Sequence, residues 1–195
     1  MYDIMQNFRF HRGGSVFQSF LDFFDVRDVV FRKGDPYKLF LRELSGKQFG
    51  QGLFTVFKEK DVKEWQKNIA YAFPAYKNKT ALFGYDWLGR CFGVSEDKKD
   101  KGKVLLFEIG TGQVLSTDCS FEEFINHEIP LNSDACLASQ FHEQWLGAAE
   151  KPLIYGRCVG YKVPLFLGGK DDISNLEDSD MDVYWSILSQ ILRQI

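Results

Sequence analysis

Residues 80–115 read TALFGYDWLGRCFGVSEDKKDKGKVLLFEIGTGQVL, and they decide the fold. Four short apolar runs, at 81–85, 91–94, 104–108 and 114–115, are separated by turn residues. The connection at 96–103 holds only charged residues and one glycine, which suits an exposed hairpin, and Gly110-Thr111-Gly112 makes a second tight turn. Strands joined by connections this short pair antiparallel, so the stretch predicts a meander.

Outward from the meander the signals become helical. On the amino-terminal side, Ser15 is placed to cap a helix through Val26, with Phe17, Phe20, Leu21 and Phe24 spaced to share one face. Asp35-Pro36 opens a second helix through Leu44, and Ser45-Gly46 ends it. Residues 53–57 read as a strand. Asp61 with Glu64 forms a capping-box pattern ahead of Trp65, Ile69 and Ala72, and Pro74 closes that helix. On the carboxy-terminal side, Ser120 with Glu123 is another capping box, starting a helix through Glu128. Asn132 or Ser133 begins a helix through Leu146, and residues 158–167, containing Pro164, read as an edge strand or extended segment. Gly168-Gly169 turns into an acidic loop at 170–178, followed by a last helix over 180–193. The order is helices, central antiparallel meander, covering helices, which is an α+β fold. A division into a mainly helical region at 1–79 and an α+β region at 80–195 is expected, within what could be one continuous fold.

At 195 residues the chain is long enough for an ordinary core. Aromatics make up 16% of it, with 19 Phe, so that core should be built of rings. Charge is strongly polarised. Residues 1–103 carry 19 Lys+Arg against 13 Asp+Glu, and residues 104–195 carry 5 against 14, so halves of +6 and −9 lie behind the overall −3. No Lys or Arg stands between 104 and 150. A surface of one sign speeds encounter with a partner of the opposite sign and repels nucleic acid. The acidic half therefore points to a basic protein partner, with no direct nucleic-acid binding.

Catalytic and cofactor motifs fail one by one. His11, His127 and His142 lack a neighbouring ligand at metal spacing, and Cys91, Cys119, Cys136 and Cys158 contain no C-x-x-C pair. Neither Gly110-x-Gly112 nor Gly168-Gly169-Lys170 continues into a dinucleotide or phosphate loop. The acids at 171–182 do not follow calcium-loop order. No cofactor and no metal are expected. Residues 1–10 have no signal-peptide character and no run approaches the roughly 18 apolar residues of a membrane span, which leads to the expectation of a cytoplasmic protein with no membrane association.

Two stretches carry a family resemblance. The first is FGYDWLGRCFGV at 83–94, followed by LFEIGTGQV at 106–114 and FEEF at 121–124; the second is CVGYKVPLFLGGKD at 158–171, continuing through NLE at 175–177 to DVYW at 182–185. Together they resemble the bacterial type VI secretion immunity family that protects against DNase effectors, in which a GAD-like amino-terminal region precedes a second conserved domain. The similarity runs from about Gly46 to the end; residues 1–45 match only in helical, aromatic character. The resemblance implies a protein, not an enzyme, that binds and neutralises a cognate basic toxin, a nuclease.

Such a toxin grips phosphates with Lys and Arg, and an acidic inhibitor can occupy that surface. The candidate partner-binding residues are Glu108, Asp118, Glu122, Glu123, Glu128, Asp171, Asp172, Glu177 and Asp178. Asp86, Trp87, Gly89 and Arg90 read as a structural turn, with Gly168 and Gly169 setting the entry to the last helix. Two other readings stand beside this one: a scaffold whose halves bind different partners, and an enzyme with a pocket near Asp86, Arg90 and the Gly168-Gly169 turn. Opposite charge on the two halves is also compatible with docking between copies, and the oligomeric state is left open.

Overall fold

The structure is a computed structural model that describes residues 16–148 and 151–195. Its centre is a six-stranded antiparallel sheet whose spatial order follows chain order. Ahead of the sheet come α1 (Gln18–Phe23) and α2 (Pro36–Glu43). Asp35 caps α2 by accepting from the Lys38 N–H, and Pro36 occupies the first turn, where its missing N–H costs nothing. The strands are β1 (Gln48–Phe49), β2 (Phe54–Val56), β3 (Thr80–Asp86), β4 (Cys91–Ser95), β5 (Lys103–Glu108) and β6 (Gln113–Ser120), with α3 (Val62–Ala72) between β2 and β3. The sheet therefore passes straight through the 79/80 division, since β2 pairs with β3.

Alternation along the strands sends side chains to two cores. Val104 and Leu106 face one, with Phe54, Phe83 and Phe92, under Phe17, Phe20 and Phe40 of the amino-terminal helices. Leu105 and Phe107 face the other, with Tyr85 and Cys91, under Ile69 of α3 and Trp185. Helices cover both faces, so β3, β4 and β5 are apolar almost throughout. Ring-edge contacts dominate the first core: Phe17 meets Phe31, Phe40 and Phe121 at centroid distances of 5.0, 5.1 and 5.9 Å. Gly84 is required where it stands, because a Cβ there would lie 2.7 Å from both the Phe54 ring and the Thr55 carbonyl.

After the sheet, the Ser120 capping box forms as expected, with Ser120 Oγ accepting from Glu123 N–H and Glu123 accepting from Ser120 N–H. The helix it starts is wider than an α-helix. α4 (Phe121–Glu123) runs into a π turn (Phe124–Glu128) and then α5 (Ile129–Leu131). Pro130 sits in this segment without an N–H to donate, and the wider turn fits a helix that must carry it. The single helix expected over 132–146 is two, α6 (Ser133–Leu137) and α7 (Ser139–Leu146), because Ala138 adopts φ +51° between them.

Strand β7 (Arg157–Tyr161) pairs antiparallel with β8 (Leu176–Asp180), and α8 (Met181–Leu192) follows. Residues 176–178 are thus strand rather than the end of a loop. Their acids point away from the core while Leu176 packs into it, and pairing with β7 outweighs the poor strand propensity of Asp and Glu. Asp180 caps α8 by accepting from the Asp182 and Val183 N–H groups. Asp61 departs from expectation: it makes no side-chain cap for α3, and its carboxylate accepts from the Tyr155 hydroxyl at 2.9 Å. The amino-terminal helix begins at Gln18; the expected cap, Ser15, lies outside the described residues. No helix among the described residues is long and apolar enough to cross a membrane.

Candidate functional site

The turn at 86–90 is where four elements meet. Asp86, at the end of β3, is fully buried, and its carboxylate accepts from Leu88 N–H, Arg90 N–H and Arg90 Nε, the last at 2.6 Å. Arg90 also donates to the Cys136 carbonyl at the end of α6 and lies 3.9 Å from Glu108. Burial pushes the Asp86 carboxyl up, to about 6, against the pull of Arg90. Gly89 takes φ +72°, and a Cβ on it would come within 3.0 Å of Cys158 Sγ. Trp87 Nε1 donates to the Leu137 carbonyl, and Trp185 Nε1 on α8 donates to the Gly89 carbonyl. Val159 N–H in β7 donates to Trp87 O at 2.6 Å, which hangs the small sheet on the large one. Every polar atom of this turn named above holds the chain to itself. Asp86 and Arg90 line neither of the two cavities beside α3.

The nine acids fall into two groups at opposite ends of the edge strand β6. Glu108 pairs with Gln113 where β6 starts, and Lys103 pairs with Ser120 where it ends. At about 3.4 Å per residue this is a separation on the order of 20 Å.

The first group surrounds the β5–β6 turn. Leu165 N–H donates to Gly110 O, laying the 162–168 segment across that turn. Tyr161 donates its hydroxyl to Asp171 at 2.7 Å, and burial, then Asp171 and Glu108, push the Tyr161 phenol up. Glu108, Tyr161 and Asp171 therefore share one neighbourhood, continued by Asp172, Glu177 and Asp178. Asp172 accepts from Ser174 N–H, and that local bonding holds its carboxyl below the usual range. Gly168, at φ +86°, ends the short turn Leu165–Leu167. Gly169 stands where a Cβ would collide with the Val163 carbonyl at 1.8 Å. Both glycines are thus required by the backbone. Cations interrupt this group: Arg157 pairs with Asp178 at 2.9 Å, and Lys162 and Lys170 are exposed beside it.

The second group holds Asp118, Glu122, Glu123 and Glu128. Asp118, at φ +59°, pairs with Lys103 across the β5–β6 ladder. Glu122 and Glu123 are exposed on α4, and Glu128 accepts from Asn132 at 3.0 Å. The Ser120 N–H and hydroxyl hold the Glu123 carboxyl below its usual range, so it stays charged while capping. Among the described residues Glu122, Glu123 and Glu128 have no Lys or Arg within ion-pair distance. An exposed apolar side chain, Leu131 at 68%, follows them on α5. The division into two groups was not readable from the acids' order in the sequence. The signal that locates it is the cation count, since the run free of Lys and Arg contains the second group entirely and the first only through Glu108.

Comparison with known proteins finds a family likeness for this region. Residues 122–192 match the family model for the T6SS immunity protein Tdi1, C-terminal. That segment includes Glu122, Glu123, Glu128, both glycines of the 168–169 turn, β7, β8 and α8, and over it the resemblance read from the sequence holds. No curated protein matches by sequence. Among solved structures, the crystal structure of Atu4351 from Agrobacterium tumefaciens superposes with a TM-score of 0.56 at 18% identity, covering 79% of this chain and 74% of that one. At that identity the likeness is one of fold, and it extends well beyond the segment matched by the family model.

Proposed function

We propose that the protein is a type VI secretion immunity protein that binds and neutralises a nuclease toxin in the cytoplasm, without catalysis of its own. The match of residues 122–192 to the Tdi1 immunity family carries this reading. Residues 1–79 are taken as its GAD-like part. The mechanism is occlusion: Glu122, Glu123 and Glu128, with no Lys or Arg at ion-pair distance among the described residues, face the Lys and Arg residues with which a nuclease grips phosphate. Leu131 beside them supplies apolar contact that excludes water from the interface. The acids around Tyr161 extend the field, but their own cations weaken it. Charge of this kind sets how fast the complex forms more than how tight it finally is.

A direct test starts with capture of the partner from native cells and its identification, followed by a nuclease assay on the purified partner. Stoichiometric addition of this chain is expected to abolish DNA cleavage. A captured partner that cleaves no nucleic acid, or one whose cleavage persists with excess chain, would remove the nuclease reading.

A further inference from the structure

A second charged feature lies on the opposite helical layer and takes no part in the reading above. A groove of about 630 Å³ runs between α3 and the end of α8, lined by Lys63 and Lys67 of α3, by Lys77 and Asn78 after it, and by Arg193 after α8. The cations come from three separate segments and converge on one concavity. Lys67 is paired with Glu64 at 2.6 Å, whereas Lys63, Lys77 and Arg193 have no carboxylate within ion-pair distance among the described residues. Arg193 is positioned rather than loose: its guanidinium lies 4.6 Å from the Tyr71 ring centre and donates to the Tyr71 carbonyl.

The groove continues into a narrower cavity of about 180 Å³. Gln66 and Asn78 line both spaces, and Tyr76, Thr80 and Glu96 line the inner one. Gln66 is fixed there by donating to the Thr80 carbonyl at 3.1 Å. Thr80 is only 5% exposed, yet its hydroxyl has no hydrogen-bond partner. Its methyl is the part that faces Gly93. A buried hydroxyl left unpartnered costs free energy, and the residue that carries this one belongs to the cavity lining. The two spaces thus have cations at the mouth, with Thr80 and Glu96 in the lining of the inner end.

We propose that this groove binds a small phosphorylated molecule bearing free hydroxyls, of the chemical class of a sugar or nucleoside monophosphate. The phosphate lies against Lys63, Lys77 and Arg193, whose guanidinium fork matches phosphate oxygens. The hydroxyl end reaches inward, where Thr80 donates to it and Glu96 accepts from it. The volume suits a ligand of this size, since small-molecule sites occupy roughly 300–1,000 Å³.

Calorimetric titration of the full chain with ribose 5-phosphate and with AMP tests this, with inorganic phosphate and an aspartate-rich hexapeptide as comparators. At least one phosphorylated ligand should bind with a dissociation constant of about 1 mM or tighter, and the peptide should not. The double variant Lys63→Glu/Lys77→Glu, both exposed, should weaken binding about tenfold or more. Thr80→Val keeps the methyl against Gly93 and should weaken binding about threefold while leaving the unfolding midpoint unchanged or raised, because the lost hydroxyl had no partner. Absence of binding by both phosphorylated ligands, affinity unaltered by the lysine reversals, or binding of the peptide alone would each overturn the proposal.

Discussion

Asp86 and His142 show how differently two buried polar side chains can be accommodated. Asp86 is surrounded by donors, and its removal would strand Arg90, which is itself largely enclosed. Asp86→Ala should therefore destabilise the protein by about 3 kcal/mol or more, read as a lowered urea midpoint, since breaking one side of a buried ion pair leaves an uncompensated charge. A loss under about 1 kcal/mol would mean the turn does not depend on this carboxylate. His142 has no such partners. It lies between Trp87 and Trp145 with Nε2 unbonded, and burial lowers its pKa to about 4. Between pH 6.5 and 4 the unfolded chain takes up a proton that the folded chain refuses, so stability falls as pH falls through that window. The contribution at pH 4.5 is about 2.5 kcal/mol relative to pH 7. His142→Phe should make denaturant stability flatter across this range by that amount; an equal slope in both proteins would refute the assignment.

At the scale of elements, the Ser120 cap is the most exposed dependency. It starts α4 and the π turn that follows, which together carry Glu122, Glu123 and Glu128, so Ser120→Ala should cost about 1 kcal/mol of stability. The same change should slow toxin binding although Ser120 carries no charge; unchanged stability would show that the turn is held by Phe121 and Phe124 alone. Elements with local signals were legible in the sequence. The meander followed from turn residues between short apolar runs, and the Asp35 and Ser120 caps from their spacing, each with its hydrogen bond in place. Elements set by distant contacts were not legible. Strand β8 exists because Leu176 to Asp180 find Tyr161 to Arg157 as partners, which no window around 176 reveals. The break at Ala138 uses a left-handed conformation that alanine seldom takes, and Asp61 was drawn from its capping role by Tyr155, 94 residues away. The candidate site divides the same way. Segregation of charge was visible in composition, whereas Asp118 with Lys103 and Asp178 with Arg157 are pairings made only by the sheets.

Across the whole molecule, one sheet separates two helical layers, and the two layers carry different electrostatics. Four cations line the groove on the α3 and α8 side, three of them without a carboxylate at ion-pair distance among the described residues, while Glu122 and Glu123 of α4 and Glu128 of the π turn lie beyond the far end of β6. The net charge of −3 therefore describes neither surface. If the acidic end is the toxin-facing one, the rate of complex formation should carry its signature. The most direct measurement is the association rate constant with the captured toxin at about 50 and about 500 mM salt, for the natural chain and for Glu122→Lys and Glu177→Lys. The expected result is a rate that falls steeply with salt, roughly tenfold lower for Glu122→Lys at low salt, with a smaller effect for Glu177→Lys and convergence of all three at high salt. Rates that are independent of salt and identical for Glu122→Lys and the natural chain would contradict occlusion by Glu122, Glu123 and Glu128.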